Sequence, residues 1–174
     1  TVEGQPNRRA AFDTWAAVRN TANVTVPRPG AKIPLTDVDV TIVASVGEFI
    51  TSPLAGMPGA GAPNPECKTF QLRAQDATPE NAYTLAAVIK YGAFRLVDLS
   101  DLVWDQEKAL MCPRNLLGTA DVYHTSRHGT DFAGSPQLVH ALRPRVAIMN
   151  NGAMKGGTKS TFEIRSEEHT SELQ

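Results

Sequence analysis

Two short stretches hold the residue types that do chemistry. The first is Asp121-Val-Tyr-His-Thr-Ser-Arg-His-Gly-Thr-Asp131, with two imidazoles, a guanidinium and a glycine turn. The second is Asp98-Leu-Ser-Asp101. A carboxylate and an imidazole together form a usual ligand mixture for zinc, manganese or iron. Such an ion lowers the pKa of bound water and supplies hydroxide at neutral pH. Asp101 and His128 are the candidate ligands and catalytic groups. For each a structural role competes: an aspartate after a strand caps turns and helices, and a lone histidine is commonly a packed one.

These residues need elements to hold them. Ala120 to Tyr123 reads as a strand running into the His128-Gly129 turn. Open α/β sheets gather ligands at the carboxyl ends of their strands. Thr84 to Tyr91 and Ala93 to Leu99 are apolar runs meeting near Gly92, which predicts an antiparallel hairpin ending at Asp98-Leu-Ser-Asp101. Trp104 to Met111 predicts a short helix stopping before Pro113. Ser135-Pro136 is a cap with proline at the first helical position. Val139 and Leu142 are its inward residues, and Arg143-Pro144 ends it. Arg145 to Met149 is a last strand, closed by Asn150-Asn-Gly152. Asn150 and Asn151 follow that strand and are candidate site-lining residues, with an ordinary turn as the competing reading.

Earlier in the chain, Asn7 to Asn20 predicts an amphipathic helix with Phe12, Trp15, Ala16 and Arg19 at helical spacing and Asn7 as its cap. Val24 to Val26 reads as a short strand before Pro27-Arg-Pro-Gly30. Val38 to Ala44 alternates as a half-buried strand. Thr51 to Glu66 carries Pro53, Pro58, Pro63 and Pro65 among Gly56, Gly59 and Gly61, a density of breakers that predicts a long loop, either a lid or a disordered insertion. The pattern is a mixed α/β sheet with helices on its outer side.

The 174 residues suffice for one domain with a real core. Hydrophobic residues make up 41% and charged ones 20%, which excludes a disordered chain. A net charge of −1 gives no footprint for nucleic acid, and no apolar run spans a membrane. Thr1 to Arg9 is polar and shows no signal peptide; with the segment that would carry one expected to be missing, a cytoplasmic and an exported protein both stay open. The missing initiator Met is read as processing or truncation. Cys67 and Cys112 are too far apart for a zinc knuckle and are read as two buried thiols or one disulfide. Arg165 to Gln174 matches, residue for residue, the translation of a common short-read sequencing adapter. Residues 165–174, His169 included, are therefore set apart as an artefactual tail from a domain over 1–164.

Taken together, Asn81 to Asp101, Ala120 to Gly129 and Ser135 to Gly152 resemble the metallo-β-lactamase-fold hydrolases, in the branch similar to the hydrolase domain of the competence protein ComEC. In that branch a hairpin led by Asn-x-x-Ser runs into Gly-Asp, and a later strand ends in His-His-Gly. The resemblance covers about Asn7 to Gly157. It implies part of an αββα sandwich, mainly its later half, with a mixed sheet and flanking helices. It implies a binuclear divalent metal site, zinc or else manganese or iron, with Asp101 as the ligating aspartate and His128 as a ligand or substrate-facing group. Ser100 stands where glycine is usual and Thr84 where serine is usual. Arg127 replaces the first His of His-His-Gly. His124 is set aside, since an extended strand puts it on the same face as Ser126, and His140 is read as a structural histidine inside a helix.

The family's main metal cradle, His-x-His-x-Asp-His, does not occur in this sequence. The resemblance therefore implies a fragment that starts after that motif, with an exposed apolar sheet face, poor metal binding and little activity of its own. The parent is expected to be a hydrolase of a small molecule or phosphodiester. The other reading is a non-catalytic binding domain centred on Arg127, which cannot ligate metal but pairs well with phosphate or carboxylate.

Overall fold

A computed structural model describes residues 6–71, 81 and 83–170, with side chains described from Arg9 to Ser166 within those ranges. Seven strands form one sheet: β1 (Lys32–Ile33), β2 (Asp39–Ser45), β3 (Glu48–Phe49), β4 (Ala86–Tyr91), β5 (Phe94–Asp98), β6 (Val122–His124) and β7 (Val146–Ile148). Their order is β1-β2-β4-β5-β6-β7, with β3 pairing β2. The first strands pair antiparallel; β5, β6 and β7 run parallel. Four α-helices accompany the sheet: α1 (Pro6–Arg19), α2 (Trp104–Met111), α3 (Pro136–Leu142) and α4 (Lys159–Thr170). The class is mixed α/β. No helix among the described residues is long and apolar enough to cross a membrane.

The hairpin forms where the two apolar runs meet. Tyr91 pairs with Phe94 across a turn whose Gly92 takes φ 56°, a backbone that L side chains rarely adopt. α2 begins after Leu102 and ends before Pro113. α3 starts at its proline, with the Ser135 hydroxyl accepting the Leu138 N–H at 3.3 Å. Val88, Val97 and Tyr123 come from one face of the sheet and pack with Leu110, Met111, Leu138, Val139 and Leu142 of the helices. The other face is more open, with Val146 and Ile148 about half exposed.

Several expectations change. Val24 to Val26 is not a strand: it lies exposed, with no sheet pairing. Asn7 is not a cap, because α1 already begins at Pro6. α1 is amphipathic, but Phe12, Trp15 and Val18 stay exposed rather than facing the core. β2 is not half-buried along its length, since Thr41 to Ser45 is buried on both faces. The loop from Thr51 is ordered up to a 3-10 helix at Pro65–Thr69. It is laced to residues 113–119 by main-chain bonds such as Leu54 N–H to Leu116 O at 2.9 Å and Thr119 N–H to Pro58 O at 2.8 Å. Gly118 fits there because a Cβ would lie 2.6 Å from the Pro58 carbonyl oxygen. In α4 the Arg165 guanidinium lies over the Tyr123 ring at 5.6 Å.

Of the two readings of the cysteines, the disulfide holds: Cys67 and Cys112 are bonded, Cα to Cα 5.7 Å. It joins the 3-10 helix to the end of α2. Closing a loop of 45 residues removes conformational freedom from the unfolded chain, on the order of 4 kcal/mol in the loop-entropy account. Cys67→Ala should cost about that much in urea denaturation. A loss below about 1 kcal/mol would mean that this account fails here.

Glu107 is the one fully enclosed carboxyl among the described residues. It accepts the Gly134 N–H at 2.7 Å and the Ser135 N–H at 2.8 Å, which fastens α2 to the start of α3. Burial pushes its pKa up to about 7, against the downward pull of those amide donors. Between its ordinary value of 4.5 and about 7 the folded chain therefore holds more proton than the unfolded one. Stability is full below that window and falls as pH rises through it, by roughly 3 kcal/mol. Glu107→Gln should flatten the fall. Equal pH slopes in the two proteins, from urea midpoints at pH 5 and pH 7.5, would overturn this.

Candidate active site

Three parallel strands bring their carboxyl ends to one edge. Asp98 is level with His124, and His124 with Ile148. Parallel pairing in register puts Asp98 and His124 on the same, more open face. His124 Nδ1 lies 3.1 Å from Asp98 Oδ2. On its other side His124 Nε2 is 2.9 Å from the Asn150 side-chain nitrogen. The main-chain oxygen of Asn150 lies 2.7 Å from His128 Nδ1.

Hydrogen-bond chemistry orders this row. An amide nitrogen only donates, so His124 Nε2 accepts and His124 Nδ1 carries the proton given to Asp98. A carbonyl only accepts, so His128 Nδ1 also carries its proton. His128 Nε2 is left with the lone pair and is the one ring nitrogen in the row able to take a proton or a ligand. Asp98 orients His124, His124 holds Asn150, and Asn150 orients His128. Partners behind an imidazole commonly fix its tautomer in this way.

The turn that carries His128 is held in a costly shape. Arg127 takes φ 49°, His128 φ 58° and Gly129 φ 69°. A left-handed backbone costs a non-glycine residue on the order of 1 kcal/mol or more. Neighbours offset that cost. Arg127 N–H donates to Ser100 O at 2.8 Å, Gly157 N–H to His128 O at 2.9 Å, and Thr158 N–H to Gly129 O at 2.9 Å. The Thr161 hydroxyl also donates to Gly129 O at 2.9 Å. Gly156 must be glycine, since a Cβ there would lie 1.9 Å from the His128 oxygen. Below the turn, the Tyr123 hydroxyl accepts the Ser126 N–H at 3.1 Å, and burial pushes that phenol's pKa up.

Asp101 lies in the neighbouring turn. The Thr84 hydroxyl accepts the Asp101 N–H at 3.3 Å and donates to the Ser100 hydroxyl at 2.8 Å. With Ser100 O bonded to Arg127 N–H, the Asp101 and His128 turns are adjacent. Arg127 stacks its guanidinium over Phe132 at 5.5 Å, and desolvation lowers its pKa. Asn150 reaches both histidines, and the Asn151 side chain lies beside Gly157. His140 lies in α3, its Nε2 3.1 Å from the Ile164 carbonyl oxygen.

Sequence reasoning missed Asp98 and set His124 aside. The expectation that His124 shares a face with Ser126 fails because the chain leaves the strand at Thr125. Ser126 turns inward to Tyr123 while His124 stays on the open face. The available signal was the parity of Leu96-Val97-Asp98 and Val122-Tyr123-His124, each with a buried middle residue.

Among the described residues no group of three or more His, Cys, Asp or Glu side chains is placed to hold a metal ion. Comparison with known protein families, with curated proteins and with solved structures gives no match.

Nitrogen chemical shifts of the neutral rings should report both as Nδ1–H tautomers. Asp98→Asn should change the His124 tautomer balance and leave the Tyr123 environment intact. An Nε2–H tautomer at His128 would dismantle the proposed order of the row.

Proposed function

We propose that this chain is part of a hydrolase of the metallo-β-lactamase kind and supplies one edge of its active site. The observation that supports this reading best is the bond between Arg127 N–H and Ser100 O, 2.8 Å. It sets the turn bearing Asp101 against the strained turn bearing His128, at the carboxyl edge of parallel strands. The substrate class in this reading is a small molecule or a phosphodiester.

A divalent metal does not fit the described residues by themselves. Asp101 and His128 Nε2 make two donors, whereas zinc takes about four ligands. In this reading the remaining donors come from outside the chain, and no step is derived through an ion. What the residues here do is hold and move a proton. His128 Nε2 accepts one from water or returns one to a leaving group, with its ring fixed by Asn150. Asp101 belongs to the adjacent turn, which Ser100 O ties to Arg127 N–H.

A second reading rests on Arg127. It occupies the position where the resemblance expects a histidine, and it removes one imidazole from the turn. A binding domain that pairs this edge with an anionic ligand would use it so.

The test is elemental analysis after zinc dialysis, together with hydrolysis of a phosphodiester chromogen. This chain should hold less than about one ion and show no metal-dependent turnover. Joined to an upstream segment carrying His-x-His-x-Asp-His, it should hold about two ions, falling on Asp101→Ala. A folded joined protein without metal would overturn the hydrolase reading and favour the Arg127 one.

A further inference from the structure

Away from the His turn, two clefts meet at Lys32, Asp39 and Lys90. One of them, about 390 Å³, lies between β2, β4 and the loop after β3. That volume is within the range of small-molecule pockets. Ile50, Met57 and Val88 form its apolar floor, and all three are buried side chains. Phe49 and Leu54 line it further.

The polar end is compact. Asp39 Oδ2 is 3.0 Å from Lys32 Nζ and 3.1 Å from Lys90 Nζ. The Thr41 hydroxyl is 3.4 Å from Asp39 Oδ1. Lys90 also donates to the Ala55 carbonyl at 3.4 Å. Gly56 takes a left-handed φ of 72° above Lys90 and covers it with no side chain. The two lysines hold the Asp39 carboxyl below its ordinary pKa, so it stays ionised. Asp37 and Arg95, which line the adjoining cleft, offset one another in formal charge.

Two ammonium groups thus share one carboxylate at the end of an apolar cleft. One positive charge is left over, with lysine N–H donors still to satisfy. A cation would meet like charge here, and a phosphate would leave the apolar floor bare. A carboxylate on an aliphatic chain matches both parts, because charge-assisted bonds reach the lysines while the chain covers Ile50, Met57 and Val88.

We propose that this cleft binds a small amphipathic carboxylic acid, its carboxylate joining Lys32 and Lys90 beside Asp39. This site is separate from the His128 edge and does not depend on the hydrolase reading. It belongs to the half of the sheet opposite the parallel strands. Of its polar groups Lys90 is the less exposed lysine and carries the recognition; Lys32 is about two-thirds exposed and closes over the ligand.

Octanoate is the probe, titrated into the whole chain by calorimetry and by methyl-resolved NMR. A saturable Kd below about 1 mM is expected, in keeping with a ligand of this size. Methyl shifts should fall at Ile50, Met57 and Val88. Octan-1-ol and acetate should each bind at least about tenfold more weakly, because each lacks one half of the match. Lys90→Met should weaken octanoate about tenfold, with Lys32→Met as the variant to read should Lys90→Met fail to fold. Asp39→Asn should tighten binding a few-fold by removing the internal competitor for the lysines. Equal binding of octanol and octanoate would overturn the proposal. So would an unchanged affinity in the lysine variants, or shifts confined to Val146 and Ile148 on the open face.

Discussion

A carboxylate with no access to water survives only where fixed donors replace hydration. Glu107 meets that condition through two backbone amides at the mouth of α3. The arrangement binds two elements at once. α2 cannot move without stranding the carboxylate, and α3 cannot move without baring its first amides. The segment from Thr125 to Gly134 is thereby confined between the end of β6 and a fixed helix start. That segment includes the His turn. The tightness of the core on this side, where Leu110, Met111, Leu138 and Leu142 are fully buried, is what raises the cost of the charge.

The His turn shows how such confinement is used. Consecutive left-handed residues have an unfavourable backbone and do not persist in a free peptide. Here their amides and carbonyls are taken by Ser100, Gly157 and Thr158, and Gly156 clears the space that a side chain would fill. The outcome is a histidine with one nitrogen tied back to Asn150 and the other left with its lone pair. Asp98 and His124 sit behind it in parallel register and give Asn150 its orientation. A row of this kind transmits position, not charge: each imidazole is fixed by the group behind it.

The two ends of the sheet differ in chemistry. The parallel end gathers imidazoles and carboxylates on short turns after strands. The antiparallel end gathers lysines around one aspartate above an apolar floor. The antiparallel strands place Lys32, Thr41, Asp39, Val88 and Lys90 on one face through direct pairing of Lys32 with Thr41, Asp39 with Lys90 and Thr41 with Val88. Parallel pairing does the corresponding work for Asp98 and His124. In both places cross-strand register, not nearness in the chain, makes the cluster.

Elements set by local chemistry were legible in the sequence. Pro113 and the apolar spacing bounded α2, Ser135-Pro136 announced α3, and Gly92 marked the hairpin turn, because each acts on its own few residues. The breakers in Thr51 to Glu66 likewise forecast a loop. What depended on distant partners was not legible. Val24 to Val26 has strand-forming residues but no strand beside it. The buried run in β2 reflects cover supplied by β4 and by segments far along the chain. Cys67 and Cys112 had two readings until folding brought their Cα atoms to 5.7 Å. Asp101 and His128 could be picked out as chemical residues, and their turns do meet. The register that pairs Asp98 with His124 could not be read, since alternation along one strand gives parity but not alignment with another. The sequence by itself determined residue chemistry, turn positions and helix ends, which are short-range properties of the chain. Tertiary structure alone decided which side chains face each other, because only packing fixes register, burial and the partner of each buried donor.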